Sequence, residues 1–305
     1  QLFSVKPYIV ASRHSTALLE RLLQDDYPIL FEGLHTCGLL DKPEIKSRAK
    51  IYRESNIEHH YYHHLAKASR SPWKKAFFHA ESFRLKKFQS ILRHADKMLT
   101  VSHADQAYLQ SAFPTREVLY LPSFHRDNEV NSIPGKGSYA LYQGKLSVPE
   151  NSLAVSYIIK QIWLDNMPEL VIAGLNPPGQ LIKLIGERPN VRLVENPDDD
   201  QMFDLIQHAQ INLMVTFQPT GLKLKLLNAL FHGRFCLVNP GMLTGTGLDS
   251  VCRIATSVAE FRKEISQLFA LEFTPEDIIT RKEVLISLYD NKKNCKFLID
   301  ILTLL

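Results

Sequence analysis

Cysteine is scarce in this chain: Cys37, Cys236, Cys252 and Cys295 lie far apart and no CxxC pair occurs. That spacing excludes the usual zinc-ribbon pattern and fits a reduced, cytoplasmic protein better than a disulfide framework. Long hydrophobic runs are missing too, and nothing approaches the ~20 apolar residues of a membrane-spanning helix. Charge of one sign is not in excess. With 36 basic and 32 acidic residues and a formal net charge of +4, composition gives no reason to expect nucleic acid. RNP, KH and zinc-finger patterns are likewise absent, as are internal repeats and low-complexity tracts. What remains, 45% hydrophobic and 22% charged over 305 residues, is the composition of a folded protein of about two domains. Residue 1 is Gln and no signal-peptide pattern follows, so we expect the chain to begin inside a longer gene product.

Short apolar runs alternate with helical patterns along most of the sequence. The first third opens with an extended segment, Phe3 to Val10, and a helix over Ser15 to Gln24. A short buried strand follows at Ile29 to Phe31, then a mostly helical stretch from Pro43 to about Asp96, dense in His, Lys and Arg. Further strands are expected at Met98–Val101 and Val118–Leu121, with Ser102 as N-cap of a helix over Ala104–Ala112. The polar stretch Asp127 to Ser138 reads as a linker. Five strands then alternate with helices from Tyr139 to Asn239, and the tail from Pro275 to Leu305 looks helical. The fold class is therefore α/β, with parallel sheets covered on both faces.

The most informative segment runs from Ile211 to Asn239: a strand, a loop, a helix over Gly221–His232 and a second strand. Open α/β sheets bind ligands outside the carboxyl ends of their strands, where this loop lies. Gly221 lets a ligand approach the first helical turn, whose free N–H groups favour an anion. Most of the helix is apolar, but Gly221, Lys225, Asn228 and His232 form one polar stripe. A lysine there calls for an anion or a wet cleft; the bland alternative is that Lys225 snorkels to solvent and Asn228 caps a neighbouring loop.

The run Thr220-Gly221-Leu222-Lys223-Leu224-Lys225-Leu226-Leu227-Asn228-Ala229-Leu230 resembles the carboxyl-domain motif S-G-T-R-L-K-L-L-E-A-L of GT-B glycosyltransferases of family GT4. Other landmarks of that family fall in order. Val101-Ser102-His103-Ala104-Asp105 resembles its V-S-E-A-D, and Leu121-Pro122 its valine-proline before the linker. Tyr142-Gln143-Gly144-Lys145-Leu146 resembles its first carboxyl-domain strand and turn, and Leu170 to Gly174 its L-x-I-x-G strand. The resemblance implies two Rossmann-like domains facing a cleft. The amino-terminal domain spans 1–134, shortened and including the linker, and the carboxyl-terminal nucleotide-sugar domain with its final helices spans 135–305. It also implies a retaining transfer of a hexose from a nucleotide sugar to a glycan or lipid-linked acceptor. In these terms Lys145 and Lys225 contact the donor diphosphate, and Gly144, Thr220, Gly221 and Asn228 line the donor site. No metal or cofactor is implied, because two ammonium groups and a helix N-terminus suffice to stabilise the leaving diphosphate.

Two features depart from that family. Asn228 stands where many members carry a glutamate, and it supplies no negative charge. The first strand near Ile29 resembles a middle strand of the amino-terminal domain, whose front then lies outside this sequence. Both leave open a non-catalytic GT-B-like subunit that binds a nucleotide or a protein partner. On the acceptor side stand His35, which follows the Ile29 strand, and Glu58, in an N-x-E-x-x-Y-Y pattern that some GT4 proteins share. His59/His63 and His60/His64 have helical metal-pair spacing, but no third ligand is evident. Between 67 and 97, basic residues interleave with Phe77, Phe78, Phe83, Leu85, Phe88, Ile91 and Leu92. Such a surface suits peripheral contact with anionic lipid at the inner membrane face, or else a solvated charged face over a core.

Overall fold

The structure, a computed structural model, describes residues 6–304 apart from 14, 70 and 218–223. The chain separates into two compact units. Within the first, strands β1 (Ile29–Glu32), β2 (Lys50–Glu54), β3 (Lys97–Thr100) and β4 (Glu117–Tyr120) form a parallel sheet in sequential order. One face packs Ile29, Phe31, Tyr52 and Met98 under Leu34, Leu85 and Leu92. The other packs Ile51 and Leu99 against Leu121 and Ile301.

The second unit contains β5 (Tyr139–Lys145), β6 (Glu169–Leu175), β7 (Val191–Glu195), β8 (Ile211–Met214), β9 (Phe235–Val238) and β10 (Arg253–Ile254). Their order is β10-β9-β8-β5-β6-β7, all parallel. The chain leaves β5 toward one edge and β8 toward the other, so the β5/β8 boundary is the topological switch point. Tyr142, Ile172, Leu213 and Leu237 fill one face with Ile158 and Ile265 from covering helices and with Trp163, which follows the helical turn Ile158–Ile162. Leu141, Val171 and Ala173 meet Ile206 and Ala209 on the other. β5 and β6 touch at paired glycines: a Cβ on Gly174 would stand 1.8 Å from the Gly144 carbonyl oxygen. Only glycine fits there.

Four expectations need correction. The extended opening is a helical turn at Tyr8–Ala11 in its described part, because Pro7 starts a helix and the buried Glu81 accepts the free Tyr8 N–H at 2.6 Å. β2 lies inside the stretch read as helical. Its sequence, Lys-Ile-Tyr-Arg-Glu, carries no apolar run, and its Lys50 N–H and Arg53 guanidinium are bonded by Asp96 and Glu32, which are remote in sequence. The second sheet has a sixth strand, β10, too short to leave a periodic signal. The last helix, Asn291–Thr303, belongs to the first unit rather than with the other carboxyl-terminal helices, since its Leu298, Ile301 and Leu302 cover Ile51 and Leu99.

The polar stretch after Asp127 is tied to the second unit. Asn131 N–H donates to the Phe231 carbonyl at 2.7 Å, and Ser132 Oγ donates to that of Gly233 at 2.7 Å. The buried Arg281 guanidinium donates to the Leu230, Gly233 and Arg234 carbonyls, capping the end of the helix over Leu224–His232 with positive charge.

Candidate functional site

Two groups of sequence-selected residues come into focus, one in each unit. In the second, β5 ends at Gly144 and Lys145, and the helix Pro149–Tyr157 begins four residues later. Asn151, in its first turn, donates from Nδ2 to the Lys145 carbonyl at 3.0 Å. Its Oδ1 accepts from Lys225 Nζ at 3.3 Å and from Tyr142 Oη at 3.2 Å. The Lys225 ammonium also lies 4.9 Å from the centre of the Tyr142 ring and 3.4 Å from its hydroxyl. One amide side chain thus links the turn that carries Lys145 to the helix that carries Lys225, at the carboxyl end of the switch-point strand. Lys145 is exposed and Lys225 half-buried.

Beside them, Thr216 follows β8 and its hydroxyl donates to Glu150 Oε1. Asn239, after β9, pairs with the Thr216 backbone in both directions, at 3.0 and 2.7 Å, and fixes the two strand ends together. Asn228 is half-buried, and its Oδ1 is buried without a hydrogen-bond partner among the described residues. A ligand hydroxyl or amide N–H would satisfy it. Thr220 and Gly221, the other donor-side candidates, lie outside the described residues. His232, the last member of the polar stripe, does not join this group: its Nε2 is 2.7 Å from Asp127 Oδ1, and Phe203 lies against its ring. Two hollows in this unit lie away from both lysines. One of about 370 Å³ is lined by Arg126, Asp199, Phe203 and His232, and one of about 280 Å³ by Cys236, Cys252, Arg253 and Arg281.

In the first unit the structure joins two residues singled out separately. His35 Nδ1 is 2.8 Å from Glu58 Oε1, and the same oxygen accepts the His35 backbone N–H at 3.2 Å. Beneath this pair the fully buried Glu54 carboxyl accepts from Tyr52 Oη at 2.5 Å and from Asn56 N–H at 3.1 Å. Burial pushes the Glu54 carboxyl well above the usual range, and the nearby Glu58 and Asp105 charges raise it further.

The histidine pairs expected to have metal spacing are used otherwise. His59 Nε2 lies 3.4 Å from Tyr108 Oη, and burial depresses its imidazole to about 4. Among the described residues no group of three His, Cys, Asp or Glu side chains is placed to hold a metal ion. Of the aromatic and aliphatic residues between 67 and 97, Leu85, Ile91 and Leu92 are core, whereas Phe83 is 60% exposed. Trp73 stands out at 87%. No helix among the described residues is long and apolar enough to cross a membrane.

Sequence reading missed Asn151, Glu150 and Thr216. Asn151 and Glu150 sit just after the Gly144-Lys145-Leu146 turn, so the turn itself was the available signal.

No family model matches the chain, and no curated protein matches it by sequence. Solved structures match it closely in shape. TarM superposes with a TM-score of 0.68 at 13% identity, over 94% of this chain and 57% of that one. The α,α-trehalose 6-phosphate synthase of Burkholderia multivorans gives 0.63 at 9% identity, over 94% of this chain and 73% of that one. HepE of Anabaena, in complex with UDP and glucose, gives 0.66 at 12% identity, over 95% of this chain and 81% of that one. A variant of the S. aureus TarM was solved with fondaparinux, α-GlcNAc-glycerol and UDP. The chain spans little more than half the length of TarM. These neighbours are GT-B proteins, and the fold of this chain is GT-B.

Proposed function

We propose that this chain is a glycosyltransferase that moves a hexose from a nucleotide sugar, with retention, to a glycan or lipid-linked acceptor. The observation that carries the reading is the Asn151 link between the Lys145 turn and the Lys225 ammonium at the switch point of a GT-B sheet. A leaving nucleoside diphosphate gains negative charge as the glycosidic bond breaks, and a preorganised cation held on an aromatic face stabilises it without water reorganising. In this reading Lys145 and Lys225 hold the diphosphate, and Gly144, Thr220 and Gly221 let it approach the backbone. Asn228 receives a donor hydroxyl on its unsatisfied Oδ1. His35 and Glu58 serve the acceptor. Membership of family GT4 and residence in the cytoplasm belong to the same proposal. So does peripheral contact with anionic lipid through 67–97, where exposed Trp73 and Phe83 stand among lysines.

The test is a thermal shift with UDP, GDP and ADP on wild type, Lys225→Ala and Lys145→Ala, followed by donor hydrolysis and transfer. A nucleoside diphosphate that stabilises wild type but neither variant supports the reading, and turnover completes it. Indifference to all three nucleotides removes it. Asn228 in place of an acidic residue favours a second reading, a non-catalytic GT-B-like subunit; binding without hydrolysis or transfer selects that one.

A further inference from the structure

Gly33 ends β1 in the left-handed region, with φ +80, and a Cβ there would stand 2.7 Å from Cε1 and 2.8 Å from Nδ1 of His35. The turn therefore folds the imidazole back over residue 33, a conformation that an L side chain at this position would block twice, by strain and by contact. So placed, the ring meets Glu58, the first residue of the helix Glu58–Ala68, whose N-terminal dipole favours a carboxylate. Glu58 Oε1 receives both the ring and the backbone N–H of His35, while Oε2 is buried with no partner among the described residues. An oxygen that already accepts the His35 backbone N–H is placed to accept from the ring as well, which puts a proton on Nδ1. Among the described residues, the other titratable groups that interact with Glu58 are Glu54 and Tyr52 from β2, Cys37 from the turn after β1, and Tyr62 from the same helix. Glu54, Tyr52 and Cys37 are fully buried and each is pushed toward its neutral form by burial. The Glu54 carboxyl is enclosed by Tyr52 and Asn56, whereas the Glu58 oxygen faces the imidazole.

We propose that Glu58 is a positioning residue that fixes the His35 imidazole with its proton on Nδ1, so that Nε2 presents a lone pair to the hydroxyl of an incoming acceptor. The use made of Nε2 rests on the transferase reading; the tautomer does not. Which nitrogen of a histidine carries the proton is set by the bond the other makes, and an unrestrained neutral imidazole in water prefers the proton on Nε2. The side chain is 30% exposed, which leaves room for a ligand.

Nitrogen-15 NMR of histidine-labelled protein at pH 8 tests this, with His35 assigned by the signal lost in His35→Gln. Wild type is expected to show a protonated Nδ1 and an unprotonated Nε2 at His35. Glu58→Leu is expected to reverse the pattern. Glu58→Gln keeps it, because the carboxamide oxygen accepts the same bond. In transfer assays Glu58→Leu lowers kcat/KM for the acceptor by about tenfold or more, with the donor KM unchanged and Glu58→Gln largely restored. A wild-type His35 protonated on Nε2 overturns the proposal, and that spectrum decides even if Glu58→Leu fails to fold. An unchanged pattern in folded Glu58→Leu overturns it as well. An Nδ1–H signal in a protein that shows no transfer keeps the pairing and removes the transferase reading instead.

Discussion

β2 and β8 hold comparable interior places in their sheets and are made of different material. All five residues of β2 are buried although three are Lys50, Arg53 and Glu54, whereas buried β8 reads Ile-Asn-Leu-Met. Most polar groups of β2 have a dedicated partner, although Arg53 Nε is buried with none among the described residues. Arg53 donates to Glu32 Oε1 at 2.7 Å on the paired strand and to the Pro122 carbonyl at 3.2 Å, and lies over Phe124. Glu54 is held by Tyr52 and Asn56. Burying such groups costs free energy that the partners return only if their geometry is kept, so they specify an arrangement more than they stabilise it. The second unit does the reverse. Its sheet is filled by aliphatic side chains and by Trp163, and the Lys225 cation stands at its rim over Tyr142. One unit buries charged residues in an interior strand, whereas the second buries its Arg281 on a covering helix and keeps Lys225 at the rim of the sheet.

That contrast can be broken most severely at the β5/β6 glycines. Gly174→Ala puts a methyl group 1.8 Å from a backbone oxygen. It should cost the second unit about 3 kcal/mol or more, read as an earlier denaturant midpoint in Trp163 emission in a Trp73→Phe background, which removes the other tryptophan. A loss below ~1 kcal/mol would mean that the strands part easily. Next comes the rim cation. Lys225→Ala should reduce transfer by about 100-fold while shifting the Trp163 transition little, because a rim cation acts on the ligand rather than on the core. Equal losses of stability and activity would erase the distinction between rim and core.

The pH dependence sharpens the other half of the comparison. Burial depresses His59 from 6.5 to about 4, so the unfolded chain binds this proton first. The His59 contribution is present above pH 6.5 and is lost as pH falls toward 4, on the order of 2 kcal/mol after allowance for solvent screening. Amide protection factors in β2 and β3, corrected for the intrinsic exchange rate at each pH, should fall over that window, and His59→Gln should flatten the response. Glu54 has the opposite sign. Its carboxyl is raised by burial, so the folded state keeps that proton longer, and stability falls as pH rises above about 4.5. Glu54→Gln should therefore protect β2 amides at alkaline pH relative to wild type. Trp163 emission, which reports the other unit, should follow neither change; a matching shift there would show that the two cores respond as one.

Much of the second unit could be read directly from residue order. Its strands are near-continuous apolar runs, and its helices begin and end at recognisable signals, as does the first unit's helix at Ser102, whose Oγ accepts the Asp105 N–H at 3.0 Å. The helix bearing Lys225 could be seen as a polar stripe on an apolar background, so the two candidate lysines were visible one by one. β2 was not, because its charges imitate a solvated helix until Glu32, Pro122 and Asp96 are brought to it.

The sequence by itself determined the α/β class, the position of most strands and the chemical character of each candidate, since periodicity, caps and turn residues act within a few positions of chain. Tertiary structure alone decided that Asn151 joins Lys225 to the Lys145 turn, that His35 shares one oxygen of Glu58, and that Asn291–Thr303 covers the first sheet. Those contacts span 74, 6 and 23 residues, or cross the whole chain, and every strand pairing is parallel. A parallel pairing is closed by a crossover rather than by a local turn, so nothing in the neighbouring sequence records which distant side chain it delivers.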